Sequence, residues 1–132
     1  PITTVSQLVR LVFAVKGLTI NSYKKIQKKS KFGSLHPAAR TFQALRILVN
    51  DELGSLKELL RLAPQCLKPG GRIGIISFHS GEDRLVKQSF RNAFENGIYV
   101  EASKKAIVPK IKEVVLNPRC ASAKLRWAIK AG

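Results

Sequence analysis

This sequence has no apolar run approaching the roughly 20 residues that span a bilayer. Stretches such as Leu11–Val15 and Ile73–Phe78 are as long as its uncharged apolar runs become. It opens on Pro1 rather than Met, and no charged segment precedes a signal-type apolar core. A transmembrane or secreted protein is therefore not expected. Cysteine is also scarce: Cys66 and Cys120 are too few for a disulfide scaffold, and neither has a Cys or His neighbour at zinc-ligand spacing. Both read as buried thiols of an intracellular protein, with no metal expected. The anticipated compartment is the cytoplasm, or a mitochondrion or chloroplast if the source is a eukaryote. The scarcest feature is negative charge. Eight acids face 24 Lys and Arg, for a net +16, and residues 1–50 carry nine basic side chains with no acid at all. Residues 51–103 hold seven of each sign, and residues 104–132 hold eight basic side chains against Glu113 alone. Charge placed this unevenly points to a polyanionic partner, nucleic acid being the commonest. The plainer alternative is a very soluble basic domain.

What remains is an ordinary globular balance of 45% apolar and 24% charged residues over 132 positions, enough for one domain. Thr4-Val5-Ser6-Gln7 has capping-box spacing and opens a short helix ending near Gly17. From Leu18 to Ser34 the periodicity dissolves into lysines and turn residues, which predicts a mobile basic loop. Pro37 suits the first position of a helix whose apolar stripe runs Phe42, Leu45, Val49, Leu53, Leu56, Leu60, with Pro64 kinking or restarting it. After the Pro69-Gly70-Gly71 turn, Arg72–Phe78 predicts a strand buried on both faces, as in a parallel α/β sheet. Ser80-Gly81-Glu82-Asp83 predicts a second capping box, with Ser80 as N-cap of a helix burying Val86, Phe90 and Phe94 on one face. A weak strand over Ile98–Val108, a short helix from Pro109 to Asn117 and a half-exposed strand over residues 123–130 complete the chain. Three strands cannot cover a sheet on both faces. The chain is thus expected to be a piece of a larger α/β protein, or to pair with a second chain, a homodimer partner included.

Three ordered blocks resemble one family. His36-Pro37-Ala38-Ala39-Arg40-Thr41-Phe42-Gln43-Ala44-Leu45-Arg46-Ile47 with Val49–Leu53 is the first. Pro69–Arg72 through Ser77-Phe78-His79-Ser80, with Glu82-Asp83-Arg84 and Val86-Lys87, is the second. Asn117-Pro118-Arg119 with Ser122–Arg126 is the third, and the opening Pro1–Thr4 fits as well. Together they resemble the MraW/RsmH methyltransferases over essentially the whole chain. The family usually has Thr at Ala39, Leu at Gly81 and Ser-Arg at Cys120-Ala121. The resemblance implies an enzyme that methylates a cytosine exocyclic amine in small-subunit ribosomal RNA with S-adenosylmethionine. It implies that residues 1–35 are the remnant of a helical insertion with a basic loop. Residues 36–132 would then be the C-terminal half of a Rossmann-like class I methyltransferase domain. The family's cofactor-binding strand and Gly-rich turn have no counterpart here, so no cofactor-binding residue is expected in this chain, and this chain alone is expected to be incomplete as an enzyme. A non-catalytic RNA-binding module or an inactive fragment is the competing reading.

A cytosine amine is a weak nucleophile that must be unstacked and aligned before methylation. In open α/β sheets ligands lie beyond the carboxyl ends of the strands, so Ser77, Phe78, His79 and Ser80 should border the pocket. His79 and Ser77 are the catalytic candidates; His79 either contacts the base or RNA, or hydrogen-bonds to close the strand–helix turn. Glu82 and Asp83 suit the helix dipole. Arg84 and Lys87 pair with these acids or with phosphate. The RNA-binding candidates are Lys24, Lys25, Lys28, Lys29, Arg40, Lys124 and Arg126, with Lys124, Arg126 and Lys130 on one face of the last strand and Trp127 turned the other way, into the core.

Overall fold

The structure is a computed structural model that describes residues 1–29 and 36–132, with backbone alone at Ile20 and residues 26–29. It forms two compact units, Pro1–Asp51 and Glu52–Gly132.

The first unit is helical. Helix α1, Val5–Val15, starts as its capping box predicts: Gln7 N–H donates to Thr4 Oγ1, and Gln7 Oε1 accepts from Thr4 N–H at 3.1 Å. It ends where Gly17, at φ 61°, lets Gly17 N–H reach Ala14 O and Leu18 N–H reach Phe13 O. The expected loop is instead helix α2, Ile20–Lys29. Its start is held by a reciprocal pair, Ser22 N–H to Thr19 Oγ1 and Thr19 N–H to Ser22 Oγ. The rest of that expected loop, Ser30–Ser34, lies outside the described residues. Helix α3 spans Ala39–Asn50. Phe13 and Ala38 are the buried apolar residues described in this unit, and the Phe13, Tyr23 and His36 rings meet at centroid separations of 5.3–5.8 Å.

The single helix expected through Leu60 is two. Asp51 adopts the left-handed conformation (φ 46°, ψ 43°) and closes α3, and α4 runs Glu52–Cys66 straight through Pro64. Strand β1 (Arg72–Ser77), helix α5 (Ser80–Glu95), strand β2 (Tyr99–Ala102), helix α6 (Ile111–Leu116), a 3-10 turn (Pro118–Ser122) and strand β3 (Lys124–Lys130) follow. The predicted 98–108 strand thus shrinks to four residues plus an isolated Ile107–Leu125 bridge.

The sheet order is β1-β3-β2, and both pairings are antiparallel. The parallel expectation fails within this chain because β3, the last strand, inserts between the other two. One face packs on α5, where Leu60, Val86, Phe90, Tyr99 and Ala128 form the core. Phe90, 2% exposed, meets Tyr99 edge-on at 5.7 Å. Burying such a ring contributes about 2–3 kcal/mol. The other face is not covered among the described residues: Ile76 is 59% and Phe78 55% exposed. β1 therefore buries one face rather than two. Phe94 is also outside the core, at 48% exposed, beside the edge strand β2. Cys120 is buried as expected, whereas Cys66, the last residue of α4, is exposed.

Candidate functional site

At the carboxyl end of β1 the chain turns directly into α5. The N-cap is His79 rather than Ser80: its backbone is extended (φ −136°, ψ 162°) and its Nδ1 accepts from Glu82 N–H at 3.2 Å. Glu82 Oε2 reaches back to Phe78 N–H at 2.9 Å and His79 N–H at 3.3 Å. One carboxylate and one imidazole thus satisfy backbone N–H groups at the helix start and fix the turn. A Cβ on Gly81 would lie 3.1 Å from His79 Nδ1, so glycine here leaves room for the ring.

Glu52, His79 and Glu82 bring three ligand-type atoms within 4.8 Å of one another. A metal on Nε2 would need the imidazole proton on Nδ1, where Glu82 N–H already donates. The cap and a metal are therefore competitors. The ring fits instead with its hydrogen on Nε2, 3.3 Å from Glu82 Oε1 yet not aligned for a hydrogen bond.

Ser77 is 3% exposed and its Oγ donates weakly to Lys124 O at 3.4 Å, which binds the end of β1 to β3. Beyond it, Phe78, His79, Ser80, Val108, Ser122 and Lys124 line a pocket of 240 Å³. Phe78 offers an apolar ring, and the Lys124 ammonium offers positive charge.

Lys124 and Arg126 converge on Asp83, in the first turn of α5. Arg126 Nε donates to Asp83 Oδ1 at 2.7 Å and Nη2 to Oδ2 at 3.3 Å, with Lys124 Nζ 3.5 Å away. The Arg126 hydrogen bond, helped by the charges of Arg126 and Lys124 and opposed by burial, lowers the Asp83 carboxyl below its ordinary value. This corrects the expected solvent-facing row. Alternation along β3 puts Arg126 on the face that α5 covers, beside fully buried Ala128, so its guanidinium points inward. Trp127, on the opposite face, is half-buried rather than core. Lys24 and Lys25 are exposed on α2, and Arg40 and Arg46 are both exposed on α3. The side chains of Lys28 and Lys29 lie outside the described residues.

In sequence, Arg84 and Lys87 have two kinds of partner open to them, the neighbouring acids and phosphate. The structure removes one of them, because Glu82 and Asp83 turn inward to the cap and to Arg126. The signal for this was faint: only a charged partner at residue 126, 43 positions away, could have revealed it.

The Glu82 carboxylate occupies the N–H groups of Phe78 and His79 just ahead of α5, and Gly70-Gly71 precede β1 instead of following it.

Comparison with known proteins matches residues 1–131 to the model of the MraW methylase family. The chain is 59% identical over 76% of its length to a protein of Crocosphaera subtropica named Ribosomal RNA small subunit methyltransferase H, covering 31% of that protein. A same-named protein of Acidobacterium capsulatum, and a second such enzyme of Alkaliphilus metalliredigens, are 44% and 48% identical over 98% of the chain. The chain spans 40% and 36% of their lengths. It therefore spans only about a third of the length of the curated relatives it matches. All three sequence blocks lie within the 1–131 that the family model matches: this chain belongs to the MraW methylase family.

Proposed function

We propose that this chain is the part of a small-subunit ribosomal RNA methyltransferase that receives the RNA, and that the whole protein transfers a methyl group from S-adenosylmethionine to a cytosine exocyclic amine. The observation that carries this reading is the family match across residues 1–131. In this reading, β1, α5, β2 and β3 are the C-terminal half of a Rossmann-like sheet. The free edge of β1 and the bare face holding Ile76 and Phe78 then receive the strands that the longer relatives supply.

The residues present act by positioning. The His79–Glu82 cap holds the turn so that Phe78 projects at the pocket, where an unstacked base can lie against its ring. Lys124, its side chain 40% exposed, holds a flanking phosphate. His79 and Ser77 keep this edge in shape, and either one contacts the base only if its present hydrogen bond opens. The exposed lysines of α2 and Arg40 on α3 hold more distant phosphates. S-adenosylmethionine supplies the methyl group when bound. The competing reading, a non-catalytic RNA-binding module, draws on the first unit, where nine basic residues face Asp51 alone.

The test is titration calorimetry with S-adenosylmethionine, first on this chain and then on a polypeptide extended to the length of its relatives. The expected result is saturable binding and methyl transfer to small-subunit ribosomal RNA by the extended protein only. Micromolar binding by the chain alone would contradict the division of labour, and an inactive extended protein would favour the module.

A further inference from the structure

Helix α5 sorts its charges by face. Its two first-turn acids are turned inward, Glu82 onto the Phe78–His79 turn and Asp83 onto Arg126. Arg84 and Lys87 are exposed, and neither makes a hydrogen bond or ion pair among the described residues. With Arg91, which pairs with Glu95 at 2.8 Å, they form one row at helical spacing. That row borders an open depression of 420 Å³ along α5 itself. Next to it is a groove of 470 Å³ between α5 and β2, lined by Phe94, Val100 and Ala102 and bordered by three cations, Lys87, Arg91 and Lys104, and two acids, Glu101 and the Glu95 that Arg91 holds. Phe94 is 48% and Val100 57% exposed, though both are large and apolar. Lys104 also has no partner among the described residues.

We propose that this groove docks single-stranded RNA, with phosphates on Arg84, Lys87 and Lys104 and a base stacked on Phe94. Unpaired cations beside an exposed aromatic ring are what a sequence-tolerant single-strand site requires. A peptide adding to the edge of β2 fits less well. The strand has four residues, its register shifts between Tyr99 and Glu101, and Glu101 stands exposed on it, all of which blunt an edge against pairing. The groove shares no lining residue with the pocket at the end of β1, so it extends the RNA footprint beyond the reacting base. The inference rests on the RNA reading above.

The experiment is anisotropy and ultraviolet crosslinking of the full chain with a fluorescein-labelled single-stranded RNA of about 12 nucleotides, adducts being mapped by mass spectrometry. Adducts on the Phe94–Lys104 segment are expected. Phe94→Ala should weaken binding about tenfold and Phe94→Tyr should restore it. The double variant Arg84→Gln, Lys87→Gln should shallow the salt dependence by about 1.4 log units per log unit of salt. Adducts confined to the first unit, with Phe94→Ala binding as well as the parent, overturn the groove and leave the RNA reading standing. Failure of the folded chain to bind RNA at all overturns both, and displacement of the RNA from the Phe94–Lys104 segment by an acidic peptide added as competitor overturns the groove alone.

Discussion

The two units carry the same net charge and treat it differently. Pro1–Asp51 has nine basic residues against Asp51, and Glu52–Gly132 has fifteen against seven acids, so each is +8. In the second unit the acids bind cations, at Asp83–Arg126, Glu58–Arg61 and Glu95–Arg91, over a core with Phe90 and Val86 fully enclosed. In the first, side-chain caps open α1 and α2 and Phe13 and Ala38 are buried, while Leu48 and Val49 of α3 stay mostly exposed. Equal charge is therefore arranged unequally: the second unit sets seven acids among its cations, and the first holds Asp51 alone against nine.

The sharpest way to break this comparison is in the core. Phe90→Ala should cost the second unit about 3–5 kcal/mol, read as a lower urea midpoint. Phe13→Ala should leave that midpoint unchanged.

The ion pair comes next. Asp83→Ala strands a guanidinium that is 8% exposed and should cost about 3 kcal/mol. The double variant with Arg126→Met should recover much of it. Because Arg126 holds the folded carboxyl of Asp83 below its ordinary value, the pair's contribution is fully present above about pH 4. It drains away as pH falls through the folded value. Asp83→Asn should flatten that acid limb, which denaturation at stepped pH will show.

Glu82→Ala removes the carboxylate from two backbone N–H groups and should cost about 1–2 kcal/mol, with faster hydrogen exchange at Phe78 and His79. Smallest in stability is replacement of Lys24, Lys25, Lys28 and Lys29 by Gln. No drop in melting temperature is expected, only an RNA salt slope shallower by about 0.7 for each phosphate no longer neutralised.

Much of this was legible in the chain. The Thr4–Gln7 box, the Gly17 stop, the β1 and β3 strands and the course of α5 follow from spacing and turn chemistry. The misses have physical causes. Helix α2 hid because its cap partner is Ser22, where a capping box normally shows Glu or Gln, and because lysine repetition looked like a loop. The α3–α4 break hid because a non-glycine, Asp51, takes the left-handed position. The antiparallel sheet hid because an apolar run such as Ile73–Ile76 reports burial and not strand direction. At the site, sequence located the turn but shifted its cap by one residue, from His79 to Ser80. Ring nitrogens accept from N–H groups as hydroxyls do, and the pattern alone did not choose between them. Arg126 was misplaced because strand alternation does not say which face a helix will cover.

The most direct test of the central claim is transfer of tritiated methyl groups from S-adenosylmethionine to small-subunit ribosomal RNA by the protein restored to its relatives' length. Label is expected on a cytosine exocyclic amine, lost when residues 1–132 are omitted and reduced by Phe78→Ala. Label that persists without residues 1–132, or that lies on another base, would contradict it.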